Sequence, residues 1–529
     1  MRKFCLNPKT PSFSIHRNTS PSSTSSSSST TIPSSIRKAT TRIEAAEALI
    51  LKWNSETSDY AKVTSLFYND KIEAIQYIHC VNNLHKAMHS LLKLDPSSPK
   101  LIKAQNLMQI AMKRLENEFY QILSMNRAYL DSESVSVRSS RTSWCSYDDG
   151  IPEEDDVRAA ENCISEVERV SSDAIDDLRI IADSMISNGY GKECFKIYTT
   201  VRKSIVDEGI YKLNVEERSF SKVNKMDWKV LEMEINSWLE AVKISVRTLF
   251  AGERILCDRI FASRSVREAC FAEISRDGAT MLFQFPEFVA KTKKSTPEKI
   301  FRLLDMYTAI TVLLPEIELI FSFNSTSGIK YQAYDSQNRL MDSVRNIISE
   351  FENAILKDSS KSEANFGGVH SLTKRTMEYL TSLADYSNVL SEIFLDVPPS
   401  SKFMLSESYL YSPELSNNTM ENGTGFSVQM MWLILVLLCK IDVKSKQCKN
   451  VSLSYLFLAN NLRHVVEKVR GSNLQYILGD DWLLNQIAKV KQLMENYERV
   501  AWGEVFSSLP ENPTAALSAA EAREHYKNS

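Results

Sequence analysis

The stretch "DWKVLEMEINSWLEAVKISVRTLFAGERILCDRIF", Asp227 to Phe261, decides the fold class of this chain. It contains no proline, and Asp227 is suited to cap the N-terminus of a helix. Its apolar residues recur at three- and four-residue steps, which is typical of a helix with one buried face. The stripe comprises Leu231, Ile235, Trp238, Val242, Ser245 or Val246, Leu249, Leu256 and Ile260. A helix over this stretch would be about 50 Å long, at 1.5 Å per residue.

The composition of the whole chain agrees with long helices. Among 529 residues there are only 14 glycines and 15 prolines, and four of the prolines precede residue 43. The remainder is therefore poor in the residues that make tight turns, which favours helices over a β-sandwich or barrel. We predict an all-α fold with long helices; if such helices repeat around chain reversals, they form a rod or solenoid.

Charge and cysteine content narrow the function class. The net charge is −3, and seven Lys/Arg but no acidic residue precede Glu44, which leaves 56 basic against 66 acidic residues in the rest. With this excess of acidic residues, the chain after residue 43 is not a general nucleic-acid binder, because binding to the phosphate backbone needs concentrated Lys/Arg. The nine cysteines form no CxxC pair and predict reduced thiols in the cytosol.

Two further stretches predict helices and the turns that join them. "DPSSPK" (95–100) separates a helix striped by Ile78, Val81, Leu84 and Met88 from a second striped helix that runs through Ile122, so we expect an antiparallel hairpin. "LQYILGDDWL" (474–483) predicts a corner, with Gly479 as a left-handed C-cap and Asp480 or Asp481 capping the next helix. In a third stretch, Thr296 is expected to cap a helix with Pro297 at its first position, and Pro315 to start or kink the next.

Composition divides the chain into four regions. Residues 1–42 are basic and Ser/Thr-rich, which predicts a disordered tail, with an organellar transit peptide as the alternative. Residues 43–130 form an N-terminal helical hairpin or coiled-coil region. Residues 131–157 are a linker that is first serine-rich and then acidic, and residues 158–529 are the helical rod.

A search for catalytic chemistry finds no P-loop, GxGxxG or GxSxG motif. His79, Cys80, His85 and His89 are the best metal candidates, but "HKAMH" (85–89) has no glutamate base. The adjacent Asp480 and Asp481 are better explained as helix capping than as an acid–base pair. We therefore predict no catalytic residue, no cofactor and no metal site.

Two clusters of lysines are candidate contacts for anionic lipid or an acidic partner. They comprise Lys291, Lys293 and Lys294, and Lys440, Lys444, Lys446 and Lys449. The second cluster follows "MMWLILVLLC" (430–439), which is about half the length needed to span a bilayer. We interpret that run as a buried helix and predict no transmembrane segment; solvated loop charge is the alternative for the lysines.

Several stretches resemble the seventy-kilodalton subunit family of the exocyst, and its plant branch in particular. They occur in the same order as in that family, and they are residues 227–261, "STPEKIFRLLDMYTAITVLLPEIELIF" (295–321), "GVHSLTKRTMEYLTSLADY" (368–386), "YLFLANNLRHVVEKVRGSNLQYILGDDWL" (455–483) and "YERVAWGEVFSSLPENP" (497–513). The resemblance implies an elongated, non-catalytic rod of stacked helical bundles that is cullin-repeat-like and built from long antiparallel helices. It also implies a role in tethering secretory vesicles to the plasma membrane.

The resemblance implies as partners the other exocyst subunits, small Rho-type GTPases and phosphoinositides. It implies a cytoplasmic protein that is peripheral to the plasma membrane or vesicles. An exocyst-independent adaptor in plant autophagy or immunity is the alternative. Family members continue into a further bundle with basic lipid-binding residues, so we expect its absence here to expose apolar residues around Val500 and Phe506.

Overall fold

In a computed structural model of the chain, every regular element is helical. The structure describes residues 34–127, 172–293, 297–360, 367–395, 425–448 and 450–508, together with 523 and 527. Within these ranges there is no β-strand. The chain divides into two compact units, residues 1–115 and 116–529. The linker predicted at 131–157, and most of the predicted tail, lie outside the described residues.

The first unit is built from a hairpin and a helix that precedes it. Its helices are α1 (Ser34–Lys52), α2 (Asp59–Val63), α3 (Leu66–Asn69), α4 (Lys71–Leu94) and α5 (Pro99–Met125), the last of which continues into the second unit. The end of α1 lies at the start of α4, where Lys52 pairs with Glu73. Lys103 of α5 pairs with Glu47 of α1, and Lys113 pairs with Glu56 just beyond it. Since α1 is antiparallel to α4 and parallel to α5, the latter two form the predicted hairpin.

The buried faces of this hairpin follow the predicted stripes. In α4, Ile78, Val81 and Leu84 are buried, whereas Ile72 is exposed. In α5 every residue of the predicted stripe is buried: Leu101, Ala104, Leu107, Met108, Ala111, Met112, Leu115, Phe119 and Ile122. Helix α1 begins at Ser34, inside the region predicted as a tail, because its own stripe already starts at Ala39.

The second unit contains the longer helices. They are α6 (172–187), α7 (Gly191–Lys212), α8 (Phe220–Lys225), α9 (Trp228–Ile244), α10 (Ala251–Ile260), α11 (Arg264–Lys291), α12 (Lys299–Ile320), α13 (Ser327–Lys357), α14 (Ser371–Ala384), α15 (Ser387–Ile393), α16 (Gly425–Ser445), α17 (Val451–Arg470), α18 (Leu474–Leu478) and α19 (Asp480–Ser508). The longest of these helices pack side by side in a series: α11 lies against α13, α13 against α16, α16 against α17, and α17 against α19.

Side-chain bonds fix the direction of the central helices. Ser343 of α13 donates to the carbonyl of Ala290 in α11, and Ser336 donates to that of Phe283, so these two helices are parallel. Between them in sequence, α12 is antiparallel to α13, because Gln337 donates to Thr311 while Tyr334 contacts Glu318. This up-down-up order agrees with the long antiparallel helices predicted from the sequence.

The long helix predicted over 227–261 contains one local change of winding. Asp227 caps α9 by accepting from the backbone N–H of Lys229, as predicted. Between α9 and α10, residues Ser245–Phe250 form a π-helical segment. A π turn accommodates one extra residue in the helix. Both Ser245 and Val246 are therefore buried, whereas the sequence pattern predicted that only one of them would be.

The predictions for the two prolines around α12 are only partly met. Thr296 lies outside the described residues, and α12 begins at Lys299, two residues after Pro297. Pro315 neither starts a helix nor ends one, because α12 runs through it to Ile320. Proline removes one backbone donor but leaves the rest of the helix hydrogen-bonded, and the buried face of α12 holds both flanking segments together.

The apolar run Met430–Cys439 lies within α16, which packs against α13 and α17. Among the described residues, α16 is the one helix long and apolar enough to cross a membrane by length and composition. However, 61% of its most apolar window is buried inside the protein. This burial agrees with the interpretation of a core helix.

The corner at 474–483 forms at Gly479 as predicted, but Asp480 and Asp481 lie inside the first turn of α19, so neither is the residue that precedes and caps it. Helix α18 ends at Gly479, which has φ +83° and ψ 160°, a conformation that side chains other than glycine rarely adopt. Asp480 and Asp481 occupy the first turn of α19, where their charge favours the helix dipole. Asp480 also accepts a hydrogen bond of 3.0 Å from the Gln475 side-chain amide.

Replacing Gly479 with alanine is expected to destabilise the second unit by about 1–3 kcal/mol, because the backbone conformation is strained for any Cβ. The added methyl itself would meet no atom within 4 Å. Gly503→Ala is the matched control, because its site is also open but lies within α19, where alanine is the better helix former. The urea concentration at the midpoint of unfolding measures the stability of each variant. Equal midpoints for the two variants would contradict a role for the positive φ.

Candidate interaction site

The first lysine cluster lies at the C-terminal end of α11. Lys291 is exposed and pairs with Glu287 one turn earlier on the same helix. Lys293 is exposed as well, and its backbone N–H is 3.5 Å from the side-chain oxygen of Asn224. Lys294 lies outside the described residues. Of the two described lysines of this cluster, Lys291 is engaged by Glu287, so the ammonium of Lys293 is the more available charge.

The second lysine cluster lies at the end of α16 and is largely engaged inside the protein. Lys444 is 3% exposed, lies 2.8 Å from the carboxylate of Asp358, and donates to the Ser360 carbonyl. Lys440 donates to the carbonyl of Leu356. Lys446 is exposed and pairs with Asp442 at 3.1 Å. Lys449 lies outside the described residues.

The structure does not bring the two clusters together. Ser343 of α13 bonds to Ala290, next to Lys291, whereas Lys440 bonds to Leu356 of the same helix. Those two positions on α13 are about 20 Å apart at 1.5 Å per residue. The clusters are thus two separate charged surfaces, and their contact with lipid or an acidic partner stays a prediction.

Lys444 and Asp358 form a buried ion pair that supports the end of α16. Burial raises the pKa of the Asp358 carboxyl, but hydrogen bonds from Lys444 and Ser360 outweigh it and lower that pKa below its ordinary 3.8. Lys444→Met is expected to destabilise the second unit by about 2 kcal/mol at pH 7, because it removes the nearer cation and its hydrogen bond from a largely buried carboxylate that Arg375 approaches only to 3.8 Å.

The stability contributed by the Lys444–Asp358 pair is expected to depend on pH. The folded pKa of Asp358 is lowered, so its contribution is fully present above pH 4 and is lost as pH falls through the folded value. The stability difference between wild type and Lys444→Met should therefore shrink below about pH 4. Urea midpoints between pH 3 and 7 measure it, and a difference independent of pH would contradict the pairing.

A shallow cleft opens between the turn after α7 and the helices α9 and α11. Its floor is aromatic: Trp238 and Phe285 are nearly fully buried, with ring centroids 6.4 Å apart. The indole N–H of Trp238 donates to the Leu282 carbonyl at 2.8 Å, which fixes the ring. Phe288 and Gln284 form one wall.

The rim of this cleft is predominantly acidic. Arg218 lies over the ring of Phe285 at 5.5 Å and pairs with the carboxylate of Glu234. Glu216 and Glu217 are exposed on the turn, and Lys222 approaches Glu216 only to 3.8 Å. Three carboxylates thus face one guanidinium in the lining of the cleft. No sequence motif indicated it, because its parts come from segments that are far apart in the chain.

A buried polar cluster joins α7 to α10 in the same unit. Arg202 donates from Nε to Glu253 at 2.8 Å, and Tyr198 donates from its hydroxyl to the other carboxylate oxygen at 2.8 Å. The thiol of Cys257 lies 3.7 Å from the Tyr198 oxygen. Burial raises the pKa of both Tyr198 and Cys257, so neither supplies a reactive anion near neutral pH.

The histidines considered for metal binding lie on α4. His79 and His89 are exposed, and His85 is half-buried. Throughout the part of the chain that the structure describes, no group of three or more His, Cys, Asp or Glu is placed to hold a metal ion. Asp480 and Asp481 are the first two residues of α19, where their carboxylates favour the helix dipole.

Two family models match the chain and cover most of its helical part. Residues 236–528, more than half of the chain, match the model for the C-terminal part of the Exo70 subunit in the exocyst complex. Residues 42–125 match the model for the N-terminal part of exocyst complex component Exo70. The chain belongs to the Exo70 family of exocyst subunits. The family is one of structural subunits of the complex that tethers vesicles in exocytosis, as the resemblance implied.

Plant proteins are among the similar Exo70 relatives. Exocyst complex component EXO70B1 of Arabidopsis thaliana is 31% identical over 79% of this chain, and the match covers 66% of EXO70B1, just under two thirds. Component EXO70A1 of the same plant is 31% identical over 89% of this chain and 73% of its own length. These matches confirm the resemblance to the plant branch.

A solved structure of Exo70 from S. cerevisiae shares the fold. It superposes with a TM-score of 0.57 at 14% identity, over 93% of this chain and 86% of the yeast chain. The predicted all-α class of stacked helical bundles is confirmed. Exo70-family subunits are cytosolic and associate with membranes through their complex, and their expected partners are the other exocyst subunits.

Proposed function

We propose that this chain acts as a non-catalytic subunit of the exocyst in tethering secretory vesicles to the plasma membrane. The observation that carries the proposal is the match of residues 236–528 to the Exo70 C-terminal family model. The long packed helices support it, because they provide rigidity and extended outer faces for partner proteins. The buried pKa-raised thiols and phenol support a role without catalysis.

Affinity purification of the tagged full chain from plant cells tests this proposal. We expect the other exocyst subunits to be recovered with it, and not with the tag alone. Recovery of autophagy or immune proteins without any exocyst subunit would contradict it and would favour the exocyst-independent adaptor. The similar proteins do not favour that alternative.

We further propose that exposed lysines of the two clusters contact anionic membranes that contain phosphoinositides. Lys293 and Lys446 are exposed, and each represents one of the two clusters. Each such lysine near a charged surface contributes about 1 kcal/mol. Small Rho-type GTPases are proposed as partners on the strength of the family resemblance. Peripheral association with the plasma membrane or vesicles follows from both.

Liposome co-sedimentation with phosphatidylinositol bisphosphate tests the lipid contact. Lys293→Glu combined with Lys446→Glu is expected to weaken binding about tenfold or more. The matched control reverses Lys192 and Lys491, which are also exposed but lie outside both clusters. If the two double variants bind equally well, the clusters have no specific role in lipid contact.

A further inference from the structure

We propose that the tip of the α4–α5 hairpin in the first unit is a contact site for the surface of an anionic bilayer. The hairpin tip comprises residues 36–47 of α1, 86–94 of α4, the turn 95–98 and residues 99–103 of α5. Its basic side chains meet the lipid headgroups, and its exposed aliphatic side chains enter the headgroup region. The site is separate from both lysine clusters, which belong to the second unit, and it does not depend on a role in the exocyst.

Ion pairs bring the start of α1 to the other two helix ends. Lys100, the second residue of α5, lies 3.9 Å from the carboxylate of Glu44, and Lys103 pairs with Glu47 at 2.6 Å. Arg42 and Arg37 precede Glu44 on α1 by about 3 and 10 Å, at 1.5 Å per residue. The four-residue turn 95–98 joins the end of α4 to the start of α5. Three helix ends therefore form one surface.

Lys and Arg outnumber Asp and Glu at the hairpin tip by seven to three. The three acids are Glu44 and Glu47, which are paired with Lys100 and Lys103, and Asp95 in the turn. The other basic residues are exposed, and within the described part of the chain they form no ion pair: Arg37, Lys38, Arg42, Lys86 and Lys93. The sequence that precedes α1 adds four more basic residues and no acid. The charge of the tip is thus complementary to anionic headgroups.

Large aliphatic side chains are exposed among these charges. Leu92 and Leu94 at the end of α4 are 53% and 49% exposed, and Ile102 at the start of α5 is 62% exposed. The core of the same hairpin end is formed by Leu91 and Leu101, which are buried. The three exposed side chains are therefore available to a ligand. Apolar side chains beside a basic face are typical of helices that bind at a membrane interface.

The combination of cations and aliphatic groups favours a bilayer over other polyanions. A nucleic acid or an acidic protein segment would pair with the cations, but exposed leucine and isoleucine would add little to such pairing. A bilayer accepts both groups, because its acyl region lies directly beneath its charged headgroups. Variants that remove only the charge or only the aliphatic groups therefore distinguish the two kinds of ligand.

Co-sedimentation of the full chain with vesicles tests the proposal. One set of vesicles contains phosphatidylcholine and phosphatidylserine, and the other contains phosphatidylcholine alone. Both lack phosphoinositides, and every variant is made in the Lys293→Glu/Lys446→Glu chain, so that the lysine clusters of the second unit do not contribute. We expect binding to the vesicles with phosphatidylserine only, and we expect it to weaken as salt is added.

Charge variants test the role of the cations. Lys38→Glu with Arg42→Glu is expected to weaken vesicle binding at least about 25-fold, roughly fivefold for each cation lost. The matched control is Lys192→Glu with Lys243→Glu, which makes the same change of charge at two exposed residues of the second unit. We expect the control to bind vesicles as tightly as the chain without these changes.

Aliphatic variants test whether the ligand has an apolar phase. Leu94→Ser with Ile102→Ser is expected to weaken vesicle binding about tenfold, because less apolar surface enters the headgroup region. The same variant should bind heparin unchanged, since heparin is a polyanion without an apolar phase. The matched control is Val312→Ser with Leu319→Ser, two residues of α12 that are 59% and 76% exposed, and it should leave both affinities unchanged.

Three results would overturn the proposal. The first is equal binding to vesicles with and without phosphatidylserine, and the second is equal vesicle binding by Lys38→Glu/Arg42→Glu and its control. The third is unchanged vesicle binding by Leu94→Ser/Ile102→Ser, which would identify a polyanion other than a bilayer as the ligand. Circular dichroism establishes that each variant is folded; if one does not fold, the other and the two kinds of vesicle still decide the question. None of these results affects the recovery of exocyst subunits, which tests the proposed function separately.

Discussion

Arg202→Met is expected to destabilise the second unit by about 3–5 kcal/mol, because it leaves the Glu253 carboxylate buried without its cation. The two side chains are 4% and 0% exposed, and they meet at 2.7 Å. The Tyr198 hydroxyl and, at 3.8 Å, the weakly donating Cys257 thiol would remain as donors to the carboxylate. Urea unfolding followed by circular dichroism measures the loss. Hydrogen exchange should localise it to α7 and α10.

The double variant Arg202→Met/Glu253→Met separates the ion pair from simple packing. We expect it to be more stable than the Arg202→Met single variant, because no charge is left buried. The control is Arg264→Met, whose guanidinium is 76% exposed and pairs with Glu268, so its loss should cost less than about 1 kcal/mol. Strictly additive effects of Arg202→Met and Glu253→Met would contradict the coupling.

Phe321→Ala is expected to cost about 3–5 kcal/mol, because it opens a cavity where three helical segments meet. Phe321 is fully buried at the end of α12. Its ring lies 5.5 Å from that of Phe250, 5.6 Å from Phe271 and 6.4 Å from Phe283. Removing it therefore affects the π segment and α11 as well as α12.

Two further substitutions calibrate the Phe321 result. Phe321→Leu retains most of the buried volume and should cost clearly less than alanine. Tyr331→Ala removes an aromatic side chain that is 68% exposed, so we expect a change within about 0.5 kcal/mol. The thermal midpoints of the three variants should follow that order. A loss for Phe321→Ala no larger than that for Tyr331→Ala would show that the cluster does not hold these segments together.

Local sequence predicted the elements that depend on neighbouring residues. The stripe of α5 was buried at every predicted position, Asp227 capped α9, and Gly479 ended α18 with a positive φ. Each of these features is set by residues within a few positions of one another, so it can be predicted without knowledge of distant contacts. The family resemblance added the fold class and the function.

Predictions that involved distant segments were less complete. Pro315 was expected to start or kink a helix; it does not start one, because α12 continues through it to Ile320, and the kink stays a prediction. Lys444 was grouped with surface lysines, but its ammonium is buried against Asp358, which lies far earlier in the chain. The lysine clusters are therefore less uniform than their spacing suggested.

The sequence by itself determined which segments are helical, where the chain reverses at Gly479, and to which family it belongs. Only the tertiary structure decided which charges are buried, how Arg202 meets Glu253, and where Trp238 and Phe285 form an acid-rimmed cleft. The physical reason is the distance along the chain between the residues that interact. Helix periodicity and capping are local, whereas burial and ion pairing depend on which faces of distant helices pack together.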